Sequence, residues 1–303
     1  MLEPLFMQLE QHDVVSDAER ALLAETISIG RDFAVGQDLV SAGSRPSYST
    51  LLVEGLAARY KVLEDGGRQF TALQVPGDFV DLHAFLLKTM DHGIIALSAC
   101  RVLFADHSRL RKITETAPHL TRLLWLDTLV DGAIHREWIV AMGRRLKISH
   151  LAHLICELYV RLKVVNRTTG LSFRLPLTQA ELADVLGLSV VHMNRIVGDL
   201  RKLGAVTWAD QSLTIIDWAR LQEIAEFDPI SVWCEIRGSC RKTRQTRRVS
   251  GVVKPLARYR GFADLILVVA VSSNKLVIAG KAVDHEVEEC IAGGDPIYTI
   301  RKR

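Results

Sequence analysis

Cysteine is scarce in this chain of 303 residues, and its spacing fits no metal or redox motif. None of the five cysteines precedes Cys100, and the nearest pair, Cys234 and Cys240, is too far apart for a two-residue spacer. The longest apolar run, residues 265–271, is too short to span a bilayer, and the N-terminus lacks the pattern of a secretory signal. These absences favour a cytoplasmic protein with reduced thiols and no membrane partner.

Sequence signatures of the common enzyme classes are also absent. Glycines recur between positions 36 and 93, but neither GxxxxGKS nor GxGxxG is present, so they indicate turns rather than a phosphate-binding loop. No nucleophile elbow, no HExxH and no set of paired catalytic groups is found. The sequence therefore argues against an enzyme. A net charge of only +3 means that any nucleic-acid partner must be argued from local patterns.

Residues 177–206 carry the most informative pattern, which predicts two short helices joined by a tight turn. Thr178 and Glu181 have the spacing of a capping box, and Gly187 supplies the positive φ that ends the first helix. Ser189 is the expected cap of the second helix. The apolar positions of that helix recur at helical spacing and are Met193, Ile196, Val197 and Leu200. The pattern is typical of a DNA-binding helix-turn-helix; a helical hairpin within a core, or a protein-docking winged helix, is the alternative.

This arrangement leaves a mostly polar set facing outward, at the positions that a recognition helix presents to base edges. The residues predicted to contact DNA are Thr178, Gln179, Ser189, Val190, Val191, His192, Asn194, Arg195 and Lys202. Lys202 and its neighbour Arg201 are explained equally well as solvated residues at a helix end. Residues 205–208 and 213–216 predict a hairpin, or wing, which covers the helical core or lies against a phosphate backbone.

The predicted secondary structure changes twice along the chain before this motif. Residues 1–27 predict two helices, the second capped by Ser16. From residue 27 to residue 104, short apolar runs separated by glycines predict an antiparallel sandwich or barrel. The two hairpins expected in it pair residues 51–53 with 57–63 and residues 61–63 with 70–73.

Residues 118–145 predict a long helix with an unusually wide apolar surface, and residues 148–165 predict a second, amphipathic one. One side of a small barrel cannot cover so wide a surface, so dimerisation through the long helix is expected. Burial between two domains is the alternative. The residues predicted for the dimer interface are Leu123, Leu126, Val130, Ala133, Ile134 and Trp138.

The order of barrel, long apolar helix and winged helix-turn-helix over residues 15–228 resembles the CRP/FNR family of bacterial transcription regulators. PGDFVDLHAF at residues 76–85 and the helix-turn-helix itself are the most specific motifs. The resemblance implies an α+β fold with an N-terminal antiparallel β-roll (jelly-roll) of the cyclic-nucleotide-binding type, a dimerisation helix and a C-terminal winged helix-turn-helix. It also implies a homodimer on a roughly palindromic DNA operator, with half-sites about one helical turn apart and RNA polymerase as a candidate further partner.

Departures from the family pattern bear on the signal that the roll would sense. Cyclic-AMP-binding members carry a glutamate and an arginine pair for the ligand, whereas here Asp81 stands near the glutamate and Asp-His-Gly at 91–93 replaces the arginines. Because a carboxylate repels a phosphate, a cyclic nucleotide is not the expected ligand. Oxygen-sensing members hold an iron–sulfur cluster on N-terminal cysteines, and the absence of cysteine before position 100 excludes one there.

A set of residues in and after the 76–85 motif is predicted to line the effector pocket instead. These residues are Gly77, Asp78, Asp81, His83 and His92. His83 and His92 are open to two interpretations, as haem or metal ligands or as surface or structural histidines. No metal site and no cofactor is identified from the sequence.

The predicted reading residues match the family in part. Arg195 corresponds to the family's base-contacting arginine and suits the O6 and N7 acceptors of guanine. Val191 stands where family members use a glutamate to read cytosine, and valine offers only an apolar contact, for example to a thymine methyl. The expected half-site therefore contains a G·C pair read by Arg195, with less stringency beside it.

The chain continues well beyond the usual end of the family. Between residues 237 and 260 there are nine Lys or Arg residues and no acidic residue, which predicts either a DNA-contacting arm or a solvated linker. Strand-like runs at 265–271 and 276–279 and an acidic segment at 284–289 are too little for an independent core. The predicted domains are a sensor roll at 1–117, the dimerisation helix at 118–145, the winged helix-turn-helix domain at 146–228 and a basic tail at 229–303.

Two hypotheses follow from the sequence. The first is a homodimeric, sequence-specific DNA-binding transcription regulator whose roll senses an unidentified signal. The second is a dimeric ligand-binding or protein-interaction module that has lost operator binding. A measured base preference that depends on Arg195 separates them.

Overall fold

A computed structural model describes residues 1–228 and four strands beyond them, and the chain divides into two compact units, Met1–Ile236 and Arg237–Arg303. The helices of the first unit are α1 (Glu3–Leu9), α2 (Asp17–Thr26), α3 (Ala84–Leu87), α4 (His107–Thr116), α5 (Pro118–Gly143), α6 (Lys147–Val164), α7 (Gln179–Leu186), α8 (Val190–Lys202) and α9 (Trp218–Ala225). Its strands are β1 (Ile27–Ser28), β2 (Asp32–Phe33), β3 (Asp38–Val40), β4 (Tyr48–Glu54), β5 (Ala57–Val62), β6 (Arg68–Gln74), β7 (Gly93–Ala96), β8 (Cys100–Asp106), β9 (Thr168–Thr169), β10 (Ser172–Arg174), β11 (Val206–Ala209) and β12 (Ser212–Ile215).

Strands β1 to β8 form two antiparallel sheets, as predicted for the N-terminal roll. One sheet has the order β1-β8-β2 with β4 also paired to β8, and the other has the order β3-β7-β5-β6. A cluster of buried side chains that includes Leu52, Ile94 and Val102 draws on both sheets. Burial of these apolar faces against one another drives the closure of the roll.

One of the two predicted hairpins is confirmed and the other is wrong. Strands β5 and β6 pair as the second hairpin requires, although β6 begins at Arg68, two residues before the predicted strand at 70–73. Strand β4 pairs with β8 rather than with β5. Gly55 lies between β4 and β5 with φ +98, and a Cβ there would lie 2.4 Å from the carbonyl oxygen of Ala99. The chain therefore crosses from one sheet to the other at this glycine instead of folding back on itself.

The two N-terminal helices and the long helix pack on the roll. Ser16 caps α2 in a capping box with Glu19, which confirms the predicted cap. Leu5 and Leu9 of α1 join Leu120 of α5 in a second buried cluster. Helix α5 ends at Gly143, two residues before the predicted end, and spans about 39 Å at 1.5 Å per residue.

The C-terminal part of the first unit is a helical core closed by a small sheet. Helices α6 to α9 pack together, and the sheet has the strand order β11-β12-β10-β9. The hairpin β11–β12 was predicted, whereas β9 and β10 were not. The final helix, α9, is capped by Asp217, whose side chain accepts a hydrogen bond from the Arg220 amide. Since β9 and β10 are only two and three residues long, they carry too little alternation to be found from sequence.

Two histidines lie inside this helical core. His150 and His153 of α6 are buried, and the Nδ1 atom of each has no hydrogen-bond partner within the described part of the chain. Burial lowers the pKa of both to about 4, with Lys147 adding to the effect at His150 and Arg145 at both. Both imidazoles are therefore neutral in the folded protein near pH 7.

Replacing both histidines with glutamine should make stability less sensitive to acid between about pH 6.5 and pH 4. The unfolded histidine binds a proton near pH 6.5 and the folded one only near pH 4, so the wild type loses stability as pH falls through this window. Each histidine contributes a slope of at most about 1.4 kcal/mol per pH unit. Urea unfolding at several pH values measures it, and equal slopes for wild type and His150→Gln/His153→Gln would contradict the assignment. Asp81 and Asp127, whose raised pKa values act with the opposite sign, are present in both proteins and cancel in the difference.

The second unit is described only as two antiparallel strand pairs. Its strands are β13 (Ala270–Ser272), β14 (Lys275–Val277), β15 (His285–Ala292) and β16 (Asp295–Lys302), paired β13 with β14 and β15 with β16. The predicted acidic segment at 284–289 thus falls largely within β15. The basic stretch at 237–260, with its predicted arm or linker, lies outside the described residues. Over the described residues, none of the helices has both the length and the apolar character needed to cross a bilayer.

Candidate nucleic-acid interface

The helix pair α7 and α8 is built by the local signals that predicted it. Thr178 Oγ1 accepts a hydrogen bond from the Glu181 amide at 3.1 Å, while the Glu181 carboxylate accepts one from the Thr178 amide at 2.7 Å. Helix α7 ends at Gly187, which has a φ of +65°. Ser189 Oγ accepts a hydrogen bond from the His192 amide at 3.3 Å and so caps α8. These caps satisfy amides that the first turn of each helix leaves without a partner.

Helix α8 has one buried face and one exposed face. The buried side chains are those predicted to point inward, Met193, Ile196, Val197 and Leu200. Val190, Asn194 and Arg195 are exposed, and the Val191 side chain is 82% exposed. An apolar side chain this exposed at the start of a helix, beside an exposed arginine, is suited to contact a surface outside the chain.

The remaining predicted contacts occupy different positions around this face. Thr178 and Ser189 are exposed but serve as caps, and His192 is half-buried. Gln179 is half-buried, and its Oε1 atom has no hydrogen-bond partner among the described residues. Lys202 lies on the same face as Arg195, about 10 Å along the helix, and pairs with Asp199 at 3.0 Å.

The wing projects a tight turn next to this helix. Asp210 and Gln211 connect β11 to β12 with φ of +50 and +63, the backbone signs of a type I′ turn. Arg201 of α8 donates a hydrogen bond to the carbonyl of Trp208 in β11, and Arg174 of β10 donates one to Gln211 Oε1 at 3.1 Å. Helix α8 and the wing are thus held in one rigid element, with the wing turn exposed.

The roll is fastened to this element by side chains from β6. Arg68 donates two hydrogen bonds to Asp184 Oδ2 on α7, at 2.9 and 2.7 Å. The neighbouring Gln69 donates through Nε2 to the backbone carbonyls of Asp184 and Val185, at 2.7 and 3.2 Å. A change in the position of β6 would therefore be transmitted to α7, the helix that packs against α8.

The five residues predicted for an effector pocket make three separate sets of contacts. Asp78 accepts hydrogen bonds from Gln8 and Arg161, and the neighbouring Gly77 packs against α1. Asp81 is buried and accepts from the Thr50 amide and Thr50 Oγ1, which makes it part of the roll's framework. Desolvation raises the pKa of Asp81 to about 7. The other two predicted residues, His83 and His92, lie together with ring centroids 5.1 Å apart.

A charged cluster between the roll and the helices was missed by the sequence analysis. Arg161 of α6 pairs with Asp78 at 2.6 Å and with Glu157 at 2.8 Å, and Arg59 of β5 pairs with Asp131 of α5 at 2.5 Å. Arg161 and Asp78 line a cavity of about 70 Å³, with Gln8, Gln74, Asp127 and Asp131. Single charged residues inside apolar helices are common on solvated faces, so no sequence signal marked these as buried.

The predicted dimer residues need correction. Leu123, Leu126, Ala133, Ile134 and Trp138 are buried inside the chain itself, and Val130 is partly buried against the same core. Ile134 and Trp138 pack in the core shared by the roll and α6, and Leu123 packs in the cluster that contains α1, so these side chains are covered within one chain. Helix α5 instead exposes a second apolar face that carries Trp125, Leu129, Ile139 and Val140.

Comparison with known proteins agrees with this architecture. Residues 30–117 match the family model described as a cyclic nucleotide-binding domain, and residues 149–224 match the Crp-like helix-turn-helix domain. A "probable transcriptional activator" of Rhizobium leguminosarum bv. viciae is 31% identical over 182 residues, which cover 59% of this chain and 73% of that protein. The chain belongs to the CRP/FNR family of transcription regulators.

Other relatives and a solved structure extend the likeness over most of the first unit. The transcriptional activator protein FnrL of Cereibacter sphaeroides is 29% identical over 216 residues, 70% of this CRP/FNR chain and 86% of that protein. The structure of FixK2 from Bradyrhizobium japonicum superposes with a TM-score of 0.59 at 21% identity, covering 64% of this chain and 95% of the other. That structure confirms the predicted fold of roll, long helix and C-terminal helix-turn-helix. This CRP/FNR protein is thus a transcriptional regulator with a DNA-binding helix-turn-helix.

Proposed function

We propose that the protein binds a two-fold symmetric DNA operator as a homodimer, with α8 of each copy in the major groove. The observation that carries the proposal is the division of α8 into a buried apolar face and an exposed face bearing Arg195, Asn194 and Val191. A helix held in this way by a helix-turn-helix can enter a groove about 12 Å wide. Because Arg195 is exposed rather than buried within the chain, it can reach a base edge.

The second face of α5 is the proposed dimer contact. Its exposed and half-buried positions recur at alternating intervals of three and four residues, and they are Arg122, Trp125, Leu129, Gly132, Arg136, Ile139 and Gly143. We name this set the α5 seam. Trp125, Leu129 and Ile139 are 63%, 52% and 69% exposed in the single chain. In a two-stranded coiled coil, large apolar residues at heptad spacing form the contact face. Contact between two copies would remove this exposed apolar surface from water.

The roll is the proposed sensor. Two ion pairs connect it to α5, the proposed dimer helix, and to α7, the helix that supports α8. Arg59 joins β5 to Asp131 on α5, and Arg68 joins β6 to Asp184 on α7. A ligand that shifts β5 would act on α5, and one that shifts β6 would act on α7, which supports α8. A cyclic nucleotide is not the proposed ligand, because Asp81 is bound to Thr50 and an aspartate, Asp91, stands in place of an arginine.

Replacing Arg195 with alanine should reduce discrimination for one G·C pair in each half-site by about 1–3 kcal/mol, because alanine cannot donate to guanine O6 and N7. An operator can be enriched from random duplexes with the wild-type protein, and binding is then measured to duplexes with each base pair changed. Unchanged base preference in the variant would refute the assignment of Arg195.

Two further variants separate base reading from simple charge. Arg195→Lys keeps the charge but loses the two-pronged donor geometry, so it should behave like the alanine variant at the G·C pair. Arg111→Ala removes an exposed arginine from α4 on the roll and should change neither affinity nor base preference. A uniform loss of affinity for all duplexes in Arg195→Ala, with base preference unchanged and affinity recovered by lysine, would show that Arg195 contacts phosphate instead.

A further inference from the structure

Two histidines that are separated in sequence meet in the roll. His83 stands directly before α3 and His92 directly before β7, and their ring centroids are 5.1 Å apart. Neither residue contacts DNA or the α5 seam in the proposed function. The proposed function thus gives this histidine pair no role.

The Nε2 atoms of both rings are enclosed and have no hydrogen-bond partner within the described part of the chain. Buried polar atoms without a partner are rare, because each one costs free energy comparable to a lost hydrogen bond. His150 and His153 also bury nitrogen atoms without a partner, but among the described residues the histidine rings that contact each other are those of His83 and His92. Two unpartnered nitrogens on neighbouring rings are suited to a shared ligand that accepts lone pairs.

Asp91 fixes the chemical state of one of these rings. Its Oδ1 atom lies 2.8 Å from His92 Nδ1, so that Nδ1 donates a hydrogen and Nε2 of the neutral ring keeps its lone pair. A carboxylate on the far nitrogen of an imidazole is the usual support of a metal-binding histidine. Ligand atoms of His83, Asp91 and His92 can be chosen so that all lie within 4.8 Å of one another.

The cations that act on the two histidines, Arg59 and Lys61, both lie beside carboxylates. The nearby Arg59 is paired with Asp131 at 2.5 Å, and Lys61 lies 3.3 Å from Asp91. The two neighbouring cations thus each have a carboxylate partner, which reduces their repulsion of a metal ion.

We propose that His83 and His92 bind a divalent transition-metal ion through their Nε2 atoms, with Asp91 orienting His92. Imidazole ligands suit zinc, cobalt, nickel and copper rather than magnesium or calcium. Two protein ligands leave positions for water or a small anion. Because the ion would join the start of α3 to the start of β7, occupancy would stiffen this side of the roll. The inference does not depend on DNA binding.

The test uses the full-length chain, stripped of metal by a chelator and titrated with Co²⁺, whose visible absorption reports its ligands. We expect His83→Gln and His92→Gln each to lose one bound ion per chain relative to the wild type. Asp91→Asn should weaken binding by about 10–100-fold, because it removes the orientation of His92 but no proposed ligand. Circular dichroism confirms that each variant is folded.

His119→Gln is the matched control, because His119 also lies beside carboxylates, 2.7 Å from Glu19 and 3.5 Å from Asp13. Within the described part of the chain, the histidine rings found in contact are those of His83 and His92, not that of His119. It should bind Co²⁺ like the wild type. Wild-type stoichiometry and affinity in folded His83→Gln/His92→Gln would overturn the proposal, as would a wild type that binds no ion. If the variants do not fold, X-ray absorption of the zinc-loaded wild type decides, since an absence of imidazole ligands there also overturns it.

Discussion

Replacing Arg161 with alanine should lower the free energy of unfolding by about 3–5 kcal/mol. Arg161 is enclosed between α6 and the roll, where it pairs with Asp78 and Glu157 and donates to the Leu73 carbonyl at 2.9 Å. Glu157 is buried and also accepts a hydrogen bond from Trp138 Nε1 at 2.7 Å. Removal of the guanidinium leaves two enclosed carboxylates facing one another without a cation.

The same substitution has a distinctive pH dependence. Burial already raises the pKa of Glu157 while Arg161 lowers it, so loss of Arg161 should raise that pKa further. A folded-state pKa above the unfolded value adds stability as pH falls, and the variant should therefore recover part of its loss in mild acid. Urea unfolding at pH 7 and pH 5 measures both effects.

Arg101→Ala is the control for the Arg161 substitution, because Arg101 pairs with Asp32 and Glu54 on the open surface of the roll. It should leave the unfolding midpoint close to that of the wild type, since solvent screens exposed ion pairs. Equal unfolding midpoints for the Arg161 and Arg101 variants would show that the buried ion pairs of Arg161 contribute no more to stability than exposed ones.

Placing a charge in the α5 seam should convert the proposed dimer to a monomer and weaken operator binding by about 10²–10⁴-fold. Leu129→Glu and Ile139→Glu each put a carboxylate where two copies of α5 would meet, and the cost of burying it exceeds the gain from the remaining contacts. A monomer then binds one half-site without the second. Sedimentation velocity gives the oligomeric state, and equilibrium binding to the enriched operator gives the affinity.

Leu86→Glu and Ile29→Glu serve as matched controls for the seam variants. Leu86 and Ile29 are apolar residues outside α5 that are more exposed than Leu129 and Ile139. Both control proteins should remain dimeric and bind the operator as the wild type does. A dimer that survives Leu129→Glu and Ile139→Glu together would move the interface away from the α5 seam.

Local sequence signals were enough to predict the helix-turn-helix and the order of the fold. Thr178 with Glu181, Gly187 and Ser189 are local signals, because a cap or a positive-φ turn is made by residues within one helical turn of each other. The buried positions of α8 follow from helical spacing alone, with Arg195 on the opposite face. These features need no knowledge of distant parts of the chain.

Which faces are free and which distant residues meet depends on how the helices and sheets pack. Helix α5 is apolar on two sides, and its spacing did not indicate that Ile134 and Trp138 cover the chain's own core while Leu129 stays exposed. The partner of β4, the ion pairs of Arg161 and the approach of His83 to His92 likewise join separate segments. Such contacts depend on how sheets and helices pack, and packing is set by the sum of many weak contacts rather than by any one local pattern.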